Sequence, residues 1–144
     1  MRDLVDRFAR SWPRGTVRVY GALARQEVFD LMKRARFLVF PSTWYETFSL
    51  VIAEAFACGL PVISTDIGAA AEIVDHGRTG VLFKSRDQDG LAAAVQRLWD
   101  RPLETRMMGA EARAEFLSKY TAEANHALLM NIYSRAREGG EVRG

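Results

Sequence analysis

Two carboxylates, Glu46 and Glu54, stand eight positions apart in the stretch PSTWYETFSLVIAEAFACGLPVIST, residues 41–65. Around Glu54 the residues are apolar on nearly every side: Leu50, Val51, Ile52, Ala53, Ala55, Phe56 and Ala57. A helix of that composition is buried, and an unpaired carboxylate in its middle would cost several kcal/mol, a large part of the stability of a small domain. Glu54 therefore has a partner within the protein or faces a cleft where a ligand supplies one. Glu46 stands at the helix entrance, the end where backbone N–H groups lack intrahelical partners. Carboxylates accept from hydroxyls, and a helix N-terminus attracts anions. A ligand carrying both hydroxyls and phosphates, such as a nucleotide sugar, suits the pair.

The elements that must position these groups are a strand, a helix and a second strand. Phe37-Leu38-Val39-Phe40 is an apolar run of strand length, and Pro41-Ser42 ends it. The helix opens at Glu46-Thr47-Phe48-Ser49 and runs to about Cys58. Gly59 suits the left-handed position past a helix end, and Pro61 cannot continue a helix. Residues 61–64 form the next buried strand. Strand, helix and strand in this order are the repeating unit of a parallel α/β sheet.

The full pattern PSxxYExFxxxxxEAxAxGxPVI resembles the signature of glycosyltransferase family 4, whose members are retaining enzymes of GT-B fold. The resemblance continues through Asp66-Ile67-Gly68, Glu72-Ile73-Val74 and residues 77–82, GRTGVL, and covers roughly residues 16–133. It implies an α/β fold: a Rossmann-like parallel sheet flanked by helices, corresponding to an incomplete carboxy-terminal half of a GT-B enzyme. It implies that Glu46 is the catalytic carboxylate and contacts hydroxyls of the donor sugar. The backbone of Phe48, Ser49, Leu50 and Val51 would run along the diphosphate, and Glu54 would hold the two ribose hydroxyls. The turn Gly21-Ala22-Leu23 would pass near the base. Ser49 departs from the family's usual glycine; glycine lets a backbone approach phosphate closely, and serine adds a hydroxyl donor. Ala69 replaces a second glycine often found after Gly68. The implied reaction moves a hexose from a nucleoside diphosphate sugar to an acceptor hydroxyl with retention. The nucleotide sugar is a substrate, so no cofactor is implied. No metal is implied either, because there is no Asp-x-Asp-like cluster.

Composition bounds the rest. The 144 residues suffice for one domain with a real core, expected over residues 1–137, with 138–144 a charged, Gly-rich, frayed tail. No apolar run approaches the roughly 20 residues that span a bilayer, and no signal peptide is expected ahead of the first charges. With one cysteine, Cys58, no internal disulfide can form and the cytoplasm is the default. Cys58 reads as a small core residue rather than a nucleophile. The net charge is +2, yet residues 1–36 hold nine Arg or Lys against four acids. A solvated basic face is the plain account; an anionic membrane surface or a partner domain are the alternatives. Nucleic acid is a poor fit, since aromatics are not interleaved with the basic residues.

Four strands are expected, at 16–20, 37–40, 61–64 and 80–83. Helices are expected at 2–11, 26–35, 70–74, from Asp87 onward with Leu91, Val95, Leu98 and Trp99 inward, at 103–118 and at 122–137 with Leu128, Leu129, Ile132 and Tyr133 inward. Glu72 would favour the dipole at the start of its short helix. His76 reads as a turn residue and His126 as solvent-facing. A full nucleotide-binding domain of the Rossmann type has about six strands in the order 3-2-1-4-5-6, so this sequence supplies the later four. The family's cationic clamp on the diphosphate, a GRxxxKG-like segment, is not found here, nor is the acceptor domain. The alternative reading is a non-catalytic nucleotide-sugar-binding module, or a truncated subunit that needs an amino-terminal GT-B domain on another chain.

Overall fold

The computed structural model describes Arg7, Ser11, Pro13, residues 16–45 and residues 47–140. Most of the helix expected at 2–11 lies outside the described residues, as do Glu46 and residues 141–144. The described elements run α1 (Arg25–Arg34), β1 (Leu38–Phe40), α2 (Leu50–Ala57), β2 (Val62–Thr65), α3 (Gly68–Ile73), β3 (Gly80–Phe83), α4 (Gln88–Asp100), α5 (Pro102–Lys119) and α6 (Ala122–Gly140).

The three strands form one parallel sheet in the order β1-β2-β3. Leu38, Val39 and Phe40 lie opposite Val62, Ile63 and Ser64, and Val62 to Thr65 lie opposite Gly80 to Phe83. All four residues of β2 are buried. Side chains alternate across a strand, and here the alternation divides two cores. Val62 packs with Ile52, Phe56, Ala70 and Met32 on one face, and Ile63 packs with Val81, Phe83, Ala94 and Leu98 on the other. Helix α5 serves both, with Ala112 in the first core and Met108 in the second.

The strand–helix–strand unit forms, and its helix ends where the sequence puts it. Gly59 has φ +68, the left-handed conformation that glycine adopts without steric cost, and Pro61 follows. Asp87 caps α4, its side chain accepting from the Gly90 N–H at 2.8 Å.

Several expectations give way. Residues 16–20 form no strand, and Val19 and Tyr20 are exposed. A strand needs a neighbour to pair its backbone groups, and no described strand lies beside this one. Helix α2 starts at Leu50 rather than near Glu46, with Ser49 as its N-cap, and it is not buried all round, since Leu50 is 69 % exposed. Trp99 turns outward, 57 % exposed, where the Arg36 guanidinium stacks on its ring at 4.4 Å. Helix α6 reaches Gly140, and its Leu128, Leu129, Ile132 and Tyr133 are exposed, not inward. Glu72 sits near the end of α3 rather than its start, so the dipole account does not hold for it.

Candidate functional site

Glu54 sits on the second turn of α2, and its side chain is 27 % exposed. Its neighbours Ala53 and Ala55 are buried, so α2 is packed except along the stripe that carries Leu50, Glu54 and Ala57. Glu54 has a protein partner and also lines a cleft. Arg25 Nη2 donates to Glu54 Oε1 at 3.1 Å, and Glu54 lines a cleft of about 640 Å³ together with Arg25, Phe29, Phe48, Leu50 and Tyr120.

The other predicted residues divide. Phe48 and Leu50 face the same cleft as Glu54. The Phe48 ring lies 6.0 Å from that of Tyr120, at a tilt that favours edge-to-face contact. Val51 is half-buried and packs against the first core. Ser49 is 2 % exposed, and its hydroxyl, though at the N-cap, has no hydrogen-bond partner. Its carbonyl accepts from Ile52 and Ala53 N–H at 3.2 and 3.3 Å, closing the first turn. Glu46 lies outside the described residues.

The loop between β1 and α2 is anchored at the carboxyl end of the sheet, where open α/β sheets bind ligands. Thr65 Oγ1 donates to the Ser42 carbonyl at 2.6 Å, and Ser64 Oγ donates to the Phe40 carbonyl at 3.1 Å. Both hydroxyls belong to buried residues of β2, so the central strand fixes the path of the loop that leads into α2.

Elsewhere, burial pushes the Cys58 thiol pKa up. It is thereby held as thiol, the less nucleophilic form, in keeping with a packing role. His76 accepts from the Leu82 N–H through Nδ1 at 3.0 Å, which occupies it structurally, and His126 is exposed. Arg78 bridges Asp75 at 2.6 Å, Glu115 at 2.7 Å and Glu111 at 3.3 Å, and ties the turn before β3 to α5. Hydrogen bonds from Lys119 and then Arg78 hold the Glu115 carboxyl below its ordinary pKa. Sequence reasoning missed Arg25 and Tyr120. Each joins the cleft through a tertiary contact for which local spacing leaves no signal.

The sequence matches the family model for glycosyl transferases group 1 over residues 2–101. The chain belongs to that family. It is 34 % identical over 136 residues to a glycogen synthase of Mycobacterium tuberculosis (strain CDC 1551 / Oshkosh), covering 94 % of this chain and 33 % of that protein. It is 42 % identical over 89 residues to an N-acetyl-alpha-D-glucosaminyl L-malate synthase of Bacillus anthracis, covering 61 % of this chain and 23 % of that one. Among solved structures it resembles a sucrose-phosphate synthase from Thermosynechococcus elongatus, with TM-score 0.81 and 28 % identity over 96 % of this chain and 35 % of that chain. It also resembles Anabaena HepE solved in complex with UDP-glucose, with TM-score 0.79 and 25 % identity over 92 % and 36 % of the two chains. The fold is thus part of the α/β architecture of GT-B glycosyltransferases, and the chain spans between 23 % and 36 % of the length of these four relatives. Among the described residues no helix is long and apolar enough to cross a membrane.

Proposed function

We propose that this chain is the donor-binding part of a retaining glycosyltransferase, which moves a hexose from a nucleoside diphosphate sugar to an acceptor hydroxyl. The observation that carries the reading is Glu54: a carboxylate open to a cleft on an otherwise packed helix. A carboxylate with free lone pairs suits a vicinal diol, and the ribose of a nucleotide supplies one. The start of α2, at Phe48, Ser49, Leu50 and Val51, would lie along the diphosphate. There the first N–H groups of a helix, which lack intrahelical acceptors, would stabilise charge on the leaving diphosphate. Glu46 would hold the donor sugar's hydroxyls beside the reacting carbon. Anabaena HepE, solved with UDP-glucose, supports a nucleotide sugar as the class of ligand. The lone cysteine supports a cytoplasmic location, and the basic surplus in the sequence of residues 1–36 would suit an anionic membrane surface.

A second reading takes the chain as a non-catalytic nucleotide-sugar-binding module, or as a subunit completed by a partner chain bearing the amino-terminal GT-B domain, since no GRxxxKG-like clamp segment occurs in residues 1–144. Thermal unfolding with and without UDP, GDP and ADP forms of common sugars tests both readings. A ligand at about 100 times its dissociation constant adds about 2.7 kcal/mol. A midpoint raised by one nucleotide class supports donor binding and names the base; transfer of sugar to water or to an added acceptor separates enzyme from module. No response to any of them would overturn the donor-binding reading for the isolated chain.

A further inference from the structure

From the contact between α1 and α2 we infer that Arg25 is a positioning residue for Glu54, and that it makes this chain distinguish a ribose from a 2′-deoxyribose. The inference rests on the ribose reading of Glu54 proposed above and deepens it. Arg25 is the first residue of α1, 29 positions before Glu54. Its Nη2 donates to Glu54 Oε1 at 3.1 Å, and its guanidinium lies 5.5 Å from the centre of the Phe29 ring, one turn further along the same helix. The stack braces the guanidinium while the ion pair fixes the carboxylate. The start of α1 is itself held, because the Glu27 carboxylate accepts from the Ala24 N–H at 2.8 Å.

The geometry leaves the carboxylate usable. A carboxylate has about four acceptor sites, and Arg25 takes one of them on Oε1. That leaves Oε2 and one site on Oε1 for a ligand in the cleft that Arg25, Phe29 and Glu54 line together. The two oxygens of a carboxylate have a fixed spacing, so what a vicinal diol needs is that their plane be correctly oriented. A glutamate side chain has three rotatable bonds and does not fix that orientation by itself; the contact from the guanidinium restrains it. The Arg25 side chain is 78 % exposed, and exposed ion pairs contribute little to stability. Its role is therefore read in ligand discrimination, not in the melting temperature.

The test is the affinity of the full chain for UDP, GDP and ADP, each against its 2′-deoxy counterpart. The unaltered chain, Arg25→Gln, Arg25→Lys, Glu54→Gln and the double variant Arg25→Gln/Glu54→Gln are compared. Arg25→Gln is expected to melt with the unaltered chain and to lose about tenfold of the preference for ribose over deoxyribose, the size of a close side-chain coupling. Arg25→Lys recovers part of it, and the double variant is no worse than Glu54→Gln alone. If Arg25→Gln keeps the full preference, or if its loss adds in full to that of Glu54→Gln, positioning is overturned. If Glu54→Gln keeps the preference of the unaltered chain, the ribose reading is wrong whatever Arg25 does. Absence of binding by the unaltered chain overturns the nucleotide reading, and this inference falls with it.

Discussion

A methyl group on Gly109 would lie 2.3 Å from the carbonyl oxygen of Gly59 and 3.4 Å from the Pro61 ring. Gly109 is in the middle of α5, and Gly59 is the left-handed residue that ends α2. The helix that carries Glu54 is thus clamped at its far end by a contact that only glycine permits. Arg113 reinforces it from the next turn of α5, donating to the Ala57 carbonyl. Gly109→Ala is expected to destabilise by about 1–3 kcal/mol, the range for forcing an added carbon into a packed contact. Chemical denaturation checks this, and an unchanged midpoint would mean that α2 and α5 can separate freely.

The orphan hydroxyl of Ser49 gives a prediction of opposite sign. A buried polar group without a partner costs about 1–3 kcal/mol. Ser49→Ala should therefore stabilise the ligand-free protein by about 1 kcal/mol. On the donor-binding reading it should also weaken nucleotide sugar binding, since the hydroxyl stands at the start of α2. A gain in stability with unchanged affinity would remove Ser49 from the site.

Glu54→Ala should abolish the thermal shift given by a nucleotide, if the carboxylate holds the ribose. Its own effect on stability should be small, because the partner it leaves behind, Arg25, is exposed to water. Equal affinity for nucleotide in the variant and the unaltered chain would end the ribose assignment.

Acid should expose the Arg78–Glu115 cluster. The folded-state pKa of Glu115 lies below its unfolded value, through hydrogen bonds from Lys119 and Arg78. A depressed carboxylate contributes stability that is present above the unfolded value of about 4.3 and is lost as pH falls through the lower folded value. The melting temperature should fall below about pH 4, and Glu115→Gln, less stable at neutral pH, should show a shallower fall.

Helix α6 offers a direct check on its exposed face. Ile132 is 54 % exposed, and surface substitutions away from special features usually change stability by less than about 0.5 kcal/mol. Ile132→Glu should stay within that limit by denaturant titration. A larger loss would mean that the face is covered in solution.

The central unit was legible because its punctuation is chemical: Gly59 and Pro61 each have few alternatives, and a lone Glu54 among apolar residues demands an explanation. The parallel pairing of β1, β2 and β3 follows from apolar runs alternating with helices. What sequence hid were features decided by distant neighbours. The apolar residues at 128, 129, 132 and 133 recur at helical spacing, which marks a face but does not say whether anything covers it. Val17 and Val19 alternate as a strand would, yet no described strand pairs with them. Trp99 falls at the spacing of an inward face, but Arg36, 63 residues earlier, gives it a surface partner. Gly109 reads locally as a weak helix former, and nothing near it in sequence announces the Gly59 carbonyl. Arg25 was visible as a charge but not as the partner of Glu54.

Because Val62 belongs to one core and Ile63 to the other, neither face of the sheet can open without disturbing the same four-residue strand. The two halves of the interior are therefore one cooperative unit, and its hinge is β2. Its backbone amides should exchange with solvent deuterium only through global opening, and later than those of α6. Slow exchange at Val62 to Thr65 would thus report the stability of the whole sheet, and with it the anchoring of the loop that Thr65 holds beside the candidate site.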